Sequence, residues 1–131
     1  MKILIIDPSD LFVARLSEPI LESDSSVSIR DSNSCAEATR LLSESAPTIV
    51  LCDMHLLIND EFRFLGQLQE YDSAAKVIVL FTIADEYQLS QCRKHGVADL
   101  FEKYAEFERI PGAIRALDYG KKSGSGSLKK I

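Results

Sequence analysis

Hydrophobic positions along the chain follow two alternating rhythms. Lys2–Ile6 (KILII), Thr48–Cys52 (TIVLC) and Lys76–Phe81 (KVIVLF) are short unbroken runs rich in β-branched residues, the pattern of strands buried on both faces of a sheet. Shorter runs at Val27–Arg30 and Ala98–Phe101 predict two further strands. Between the runs, apolar residues return every three or four positions, as on one face of a helix. Ser9–Glu22 carries Leu11, Phe12, Leu16 and Ile20; Ala38, Leu41 and Leu42 follow Ser34; Asp60–Tyr71 carries Phe62, Leu65 and Leu68; Ile83–His95 and Glu106–Tyr119 complete the set. Ser34, with Glu37 three residues on, is placed to cap its helix, and Gly96 follows His95 where helices commonly stop. Pro19 predicts a kink or a broken turn inside the first helix.

Five strand–helix units in strict alternation predict an α/β fold: a doubly wound, five-stranded parallel sheet with helices on both faces. In such sheets chemistry gathers at the carboxyl ends of the strands. The polar residues at those ends are Asp7, Asp53, Thr82 and Lys103. Two carboxylates at one edge repel each other unless a cation lies between them; oxygen ligands suit Mg²⁺, and the Lys103 ammonium offers the same sign of charge. A carboxylate nucleophile, a hydroxyl and a fixed amine together suit phosphoryl transfer, with Asp53 as acceptor. Each residue alone has a plainer role, helix capping for Asp7, Asp53 and Thr82 and a surface amine for Lys103. Convergence at one edge favours a pocket.

Composition narrows the class. With 131 residues, 46% hydrophobic and 27% charged, the chain has room for one core. The net charge of −5 conceals an uneven distribution: residues 1–120 hold all 20 Asp and Glu but only 11 of the 15 Lys and Arg, leaving that part at −9, while Lys121, Lys122, Lys129 and Lys130 supply +4. An acidic body argues against direct nucleic-acid binding. No run approaches the ~20 apolar residues of a membrane span, and MKILIIDP turns acidic too early for a signal peptide, so a soluble, cytoplasmic protein is expected. Three cysteines without a C-x-x-C pair read as reduced thiols, and His55 and His95 have no cysteine partners for a zinc site. Residues 121–131 (KKSGSGSLKKI) have the composition of a flexible basic linker, either a natural tether to an output domain beyond Ile131 or an expression remnant. Glycine-rich nucleotide motifs and a G-x-S-x-G elbow are absent from the sequence.

The order of Asp7, Asp53, Thr82 and Lys103 resembles the receiver domain of two-component response regulators over residues 1–120. The resemblance implies a flavodoxin-like (βα)5 fold like that of chemotaxis regulators. It makes Asp7 the first acid of a metal-binding pair, Asp53 the phosphorylated aspartate, Thr82 the pocket hydroxyl and Lys103 the pocket lysine. Mg²⁺ would then be held by Asp7, Asp53 and the backbone carbonyl of His55. The implied function is signalling: acceptance of a phosphoryl group from a sensor histidine kinase or phosphotransfer protein, then a switch in partner binding, of which homodimerisation is one form. No enzymatic activity is implied beyond self-phosphorylation and self-dephosphorylation.

Several positions depart from that pattern. Pro8 stands where the second acid is usual, and nearby Asp10 falls at a helix start, where carboxylates more often cap. Leu57 and Glu61 replace a proline and a glycine, and Leu100 replaces an aromatic switch residue. Tyr104 follows Lys103 in place of proline; a cis bond before a non-proline residue costs about 2.5–4 kcal/mol, so a trans link is expected. These departures predict weak Mg²⁺ binding and altered signalling through Thr82. They also sustain an alternative, a degenerate receiver acting as a phosphorylation-independent interaction or dimerisation module. A small phosphatase with Asp7 as nucleophile is disfavoured, because D-P-S-D lacks an acid two residues on.

Overall fold

The computed structural model describes residues 1–72 and 74–123. The three unbroken apolar runs become the inner strands β1 (Lys2–Ile6), β3 (Ile49–Asp53) and β4 (Lys76–Phe81), with β2 (Ser28–Ser32) and β5 (Asp99–Glu102) at the edges. The order is β2-β1-β3-β4-β5, and every pairing is parallel. Each crossover therefore carries a helix, and the doubly wound sheet expected from the alternation is formed.

Successive strand residues point to opposite faces, so each inner strand feeds two cores. On one face Phe12, Val13, Leu16 and Ile20 of α1 (Asp10–Ser23), with Ile110 and Ile114 of α6 (Ile110–Ser123), pack over Ile3, Ile5, Ile49, Leu51, Ile78 and Leu80. On the other, Leu41 and Leu42 of α2 (Cys35–Leu42), Leu65 and Leu68 of α4 (Arg63–Tyr71) and Cys92 of α5 (Glu86–Lys94) cover Leu4, Ile6, Val50, Cys52, Val77 and Val79. Each fully buried Leu or Ile contributes about 1.5–3 kcal/mol.

The boundaries differ from the sequence reading in instructive ways. Strand β2 lies beyond the expected Val27–Arg30 because its limits follow pairing with β1, from Lys2↔Ser28 to Ile6↔Ser32. Helix α1 is continuous through Pro19; the ~3 kcal/mol cost of an interior proline is offset by burial of Leu16 and Ile20 on the same helix. The helix expected over Asp60–Tyr71 is α4, starting three residues later at Arg63; an unexpected α3 (Met54–Asn59) follows β3 directly, and a reversal at Glu61 (φ 54) and Phe62 (φ 60) separates the two. Helix α5 starts at Glu86 instead of Ile83, behind a capping box in which Asp85 accepts from Gln88 N and Gln88 Oε1 accepts from Asp85 N. Gly96 ends it at φ 73, a backbone region glycine occupies without penalty. A 3₁₀ turn over Phe107–Arg109 precedes α6, which places Pro111 in the first turn, where proline costs little. Helix α6 runs to Ser123; of the tail expected over 121–131, residues 124–131 lie outside the described residues.

Candidate functional site

Sheet register sets the site. Ile6 pairs with Cys52, so Asp7 and Asp53, one residue on, leave adjacent inner strands at the same height. Asp53 is level with Leu80, and Leu80 with Phe101, so Thr82 and Lys103 both stand two residues beyond the acids. The Lys103 backbone N–H donates to Phe81 O at 2.7 Å, which fixes the chain as it leaves β5.

From that position Lys103 folds back over the acids. Its Nζ lies 2.7 Å from Asp7 Oδ2 and 2.8 Å from Asp53 Oδ1. All three are buried, at 1% exposure for Asp7, 5% for Asp53 and 6% for Lys103. Asp7 Oδ1 accepts from Ser9 N at 2.9 Å, while Oδ2 pairs with the ammonium yet satisfies no hydrogen-bond geometry. Asp53 Oδ2 accepts from Leu56 N at 3.1 Å and thereby caps α3. The capping role and the pocket role thus coexist in Asp53, one on each carboxylate oxygen. Ser9 caps α1, accepting from Phe12 N, and Asp10 is exposed in the first turn.

Burial pushes the Asp7 carboxyl above its ordinary range, and the opposing pull of Lys103 and of Ser9 N–H does not overcome it; the Asp53 charge adds to the rise. Burial pushes Lys103 down, but hydrogen bonding to Asp53 and Asp7 outweighs it and holds the ammonium above its usual value. The pocket therefore contains its own fixed cation.

Among the described residues, two others expected at the site, Thr82 and His55, make no hydrogen bond to this trio. Thr82 is exposed just past β4, with no hydrogen bond among the described residues. His55 is exposed in α3, and a carbonyl at the second position of a helix points along the axis into the i→i+4 ladder. Pro8 is exposed and supplies no side-chain oxygen. Among the described residues no group of three or more His, Cys, Asp or Glu could hold a metal ion. Asp7 and Asp53 supply two carboxylates, a protein donor set that Mg²⁺ accepts when water and phosphate oxygens complete its octahedron, although Lys103 bridges both acids here.

Lys103–Tyr104 is trans, with no cis peptide bond among the described residues. Leu100 is half-buried against the core that contains Cys52 and Val79. One neighbour of the pocket had no sequence signal: the Phe12 ring, whose centroid lies 4.7 Å from Lys103 Nζ. Helical periodicity placed Phe12 inward but could not say under which charge.

The sequence pattern of the response regulator receiver domain matches residues 3–115. This chain belongs to that family. The receiver domain is 24% identical over 119 residues to the chemotaxis protein CheY of Halobacterium salinarum, covering 88% of this chain and 98% of the relative. Among solved structures it is similar to a CheY-like response regulator receiver domain protein from Methanospirillum hungatei, with a TM-score of 0.80, 17% identity and coverage of 93% of this chain and 97% of that one. It is also similar to a response regulator from Burkholderia pseudomallei solved with a phosphorylated aspartic acid, a calcium ion and citrate, with a TM-score of 0.73, 20% identity and coverage of 89% and 72%. As a receiver domain it is a signal-transduction module, of a family that typically binds Mg²⁺ and acts with histidine kinases or phosphotransfer proteins.

Proposed function

We propose that this receiver domain accepts a phosphoryl group on Asp53 from a phosphohistidine of a sensor kinase or phosphotransfer protein and thereby switches its partner interactions. The supporting observation is the Asp53 carboxylate, held at the end of an inner strand with a fixed ammonium 2.8 Å away. In the transfer an Asp53 oxygen forms a bond to phosphorus, the phosphorus–nitrogen bond breaks, and the imidazole leaves with the electron pair. Lys103 faces the charge gathering on the phosphoryl oxygens, and Thr82, at the same height on the neighbouring strand, is the hydroxyl on the pocket rim. Hydrolysis of the acyl phosphate reverses the switch, and no other enzymatic activity is proposed.

Mg²⁺, when bound, adds charge neutralisation at the transferred group. Its binding here by Asp7, Asp53 and the His55 carbonyl is proposed to be weak, since Pro8 withholds the second acid. The receiver is assigned to residues 1–120, with α6 running on to Ser123, and the basic Gly/Ser composition of 121–131 to a tether; a cytoplasmic location accompanies this reading, and homodimerisation is one form the switch in partner binding takes. No helix among the described residues is long and apolar enough to cross a membrane, and the −9 body disfavours direct nucleic-acid binding.

Intact-mass measurement after incubation with acetyl phosphate tests the proposal. The wild type is expected to gain one phosphoryl group, and Asp53→Asn none. Absence of any gain in the wild type would leave the phosphorylation-independent interaction module in its place.

A further inference from the structure

Phe12 lies in the first turn of α1 at 4% exposure, and its ring covers Lys103 Nζ at 4.7 Å from the centroid. An ammonium has three donors; in this pocket one is donated to Asp53 Oδ1, and Asp7 Oδ2 pairs with the charge at 2.7 Å. The electron-rich face of an aromatic ring attracts a cation, more strongly where water is excluded. The ring is itself held. Tyr104 meets it at 5.8 Å and 80°, and Phe107 at 6.0 Å and 75°, both edge to face. Tyr104 and Phe107 belong to the same segment past β5 that supplies Lys103. That segment thus wraps Phe12 on two sides and lays its lysine across the ring.

We propose that Phe12 is a positioning residue for the phosphorylation pocket: its ring fixes the Lys103 ammonium between Asp7 and Asp53, so that the acid pair carries a preorganised cation. This inference rests on the phosphoacceptor reading of Asp53. A fixed charge needs no reorganisation when the transferred group arrives, and that is how such groups accelerate transfer. Without the ring, the four-carbon stem of Lys103 is restrained at its tip by the two carboxylates alone.

The test replaces Phe12 by 4-fluoro- and 3,4,5-trifluorophenylalanine, which keep the shape and progressively weaken the negative ring face, and by Leu, which removes the ring. Folding is checked by circular dichroism. Two readouts are taken: the rate of phosphoryl gain from acetyl phosphate with saturating Mg²⁺, and the proton shift of the Lys103 ε-methylene, which the ring current moves upfield. The expected result is a stepwise, several-fold fall in rate along the fluorinated series, with the upfield shift lost in Phe12→Leu. Equal rates across the fluorinated series would overturn the positioning role, since a merely structural ring is blind to fluorine. An unchanged Lys103 shift in Phe12→Leu would overturn the contact itself. A wild type that gains no phosphoryl group overturns the phosphoacceptor reading and the rate role with it, while the shift still decides whether the ring holds the ammonium.

Discussion

Lys103 and Asp7 form an ion pair at 2.7 Å that is almost entirely out of water, and the same ammonium serves Asp53. Removing one member of a buried charged set is costly because the others are left uncompensated, typically by about 3–5 kcal/mol. Lys103→Met should therefore destabilise strongly, with two buried carboxylates facing each other. Urea unfolding near neutral pH measures this; a loss under ~1 kcal/mol would show that water compensates the acids.

The pair also sets a pH dependence at the alkaline end. Lys103 is held above its ordinary value of 10.5 in the folded state, so the folded protein binds this proton more tightly than the unfolded chain. Its contribution is complete below 10.5 and is lost as pH rises through the raised folded value. Wild-type stability should fall in that window more steeply than that of Lys103→Met. Parallel slopes above pH 10.5 would contradict the assignment.

Asp7 behaves in the opposite sense from most paired carboxylates. Burial raises its folded value above 3.8, so protonation favours the fold. That contribution is fully present below 3.8 and disappears as pH rises through the folded value. Asp7→Asn, neutral at every pH, should gain on the wild type across that rise, and denaturation at a series of acidic to neutral pH values reads the difference. A wild type that instead gains on Asp7→Asn with rising pH would show that the ammonium outweighs burial.

At Pro8 the prediction concerns affinity. Pro8→Asp supplies the missing side-chain oxygen one residue after Asp7 and should tighten Mg²⁺ binding by roughly tenfold or more, a gain of about 1.4 kcal/mol per decade. Calorimetric titration of both proteins decides it, and equal affinities would mean that the edge already has enough donors.

A fourth site of change is the reversal between α3 and α4. Glu61 is an exposed residue held at φ 54, where a non-glycine residue carries about 1–2 kcal/mol of strain. Its ion pair with Arg63 is at the surface and worth at most ~1 kcal/mol. Glu61→Gly should raise stability by up to about 1 kcal/mol after the entropy cost of glycine. A lower melting temperature in the variant would show that the Arg63 contact matters more than the strain.

How far the sequence discloses all this varies with what governs each element. The inner strands are legible because burial on both faces demands continuous apolar runs such as Ile3–Ile6 and Ile49–Cys52. The edge strand β2 is legible in its place but not in its limits, because SIRDS takes them from the neighbouring β1. Asp7, Asp53 and Lys103 are recoverable from strand-end logic, and the trans link at Tyr104 from the cost of the cis form. The break at Glu61 and Phe62 is hidden because neither residue is one that normally signals left-handed backbone. The helix α3 that holds His55 carries no periodic signal in its six residues, Met54–Asn59. Phe12 over Lys103 depends on three-dimensional juxtaposition that no periodicity encodes.

The cap at the start of α3 has a consequence beyond holding that helix. Leu56 N and Lys103 Nζ draw on the two oxygens of one carboxylate. A bond made to Asp53 takes a lone pair and the negative charge from an oxygen that one of these donors uses, so phosphorylation at that residue weakens the acceptor of either the lysine or the first turn of the helix. Met54 and Leu57 of that turn are anchored in the core with Cys52 and Leu65, so a disturbed cap pulls on packed side chains and not on a free loop. A covalent event at one atom is thereby converted into a mechanical load on one face of the sheet.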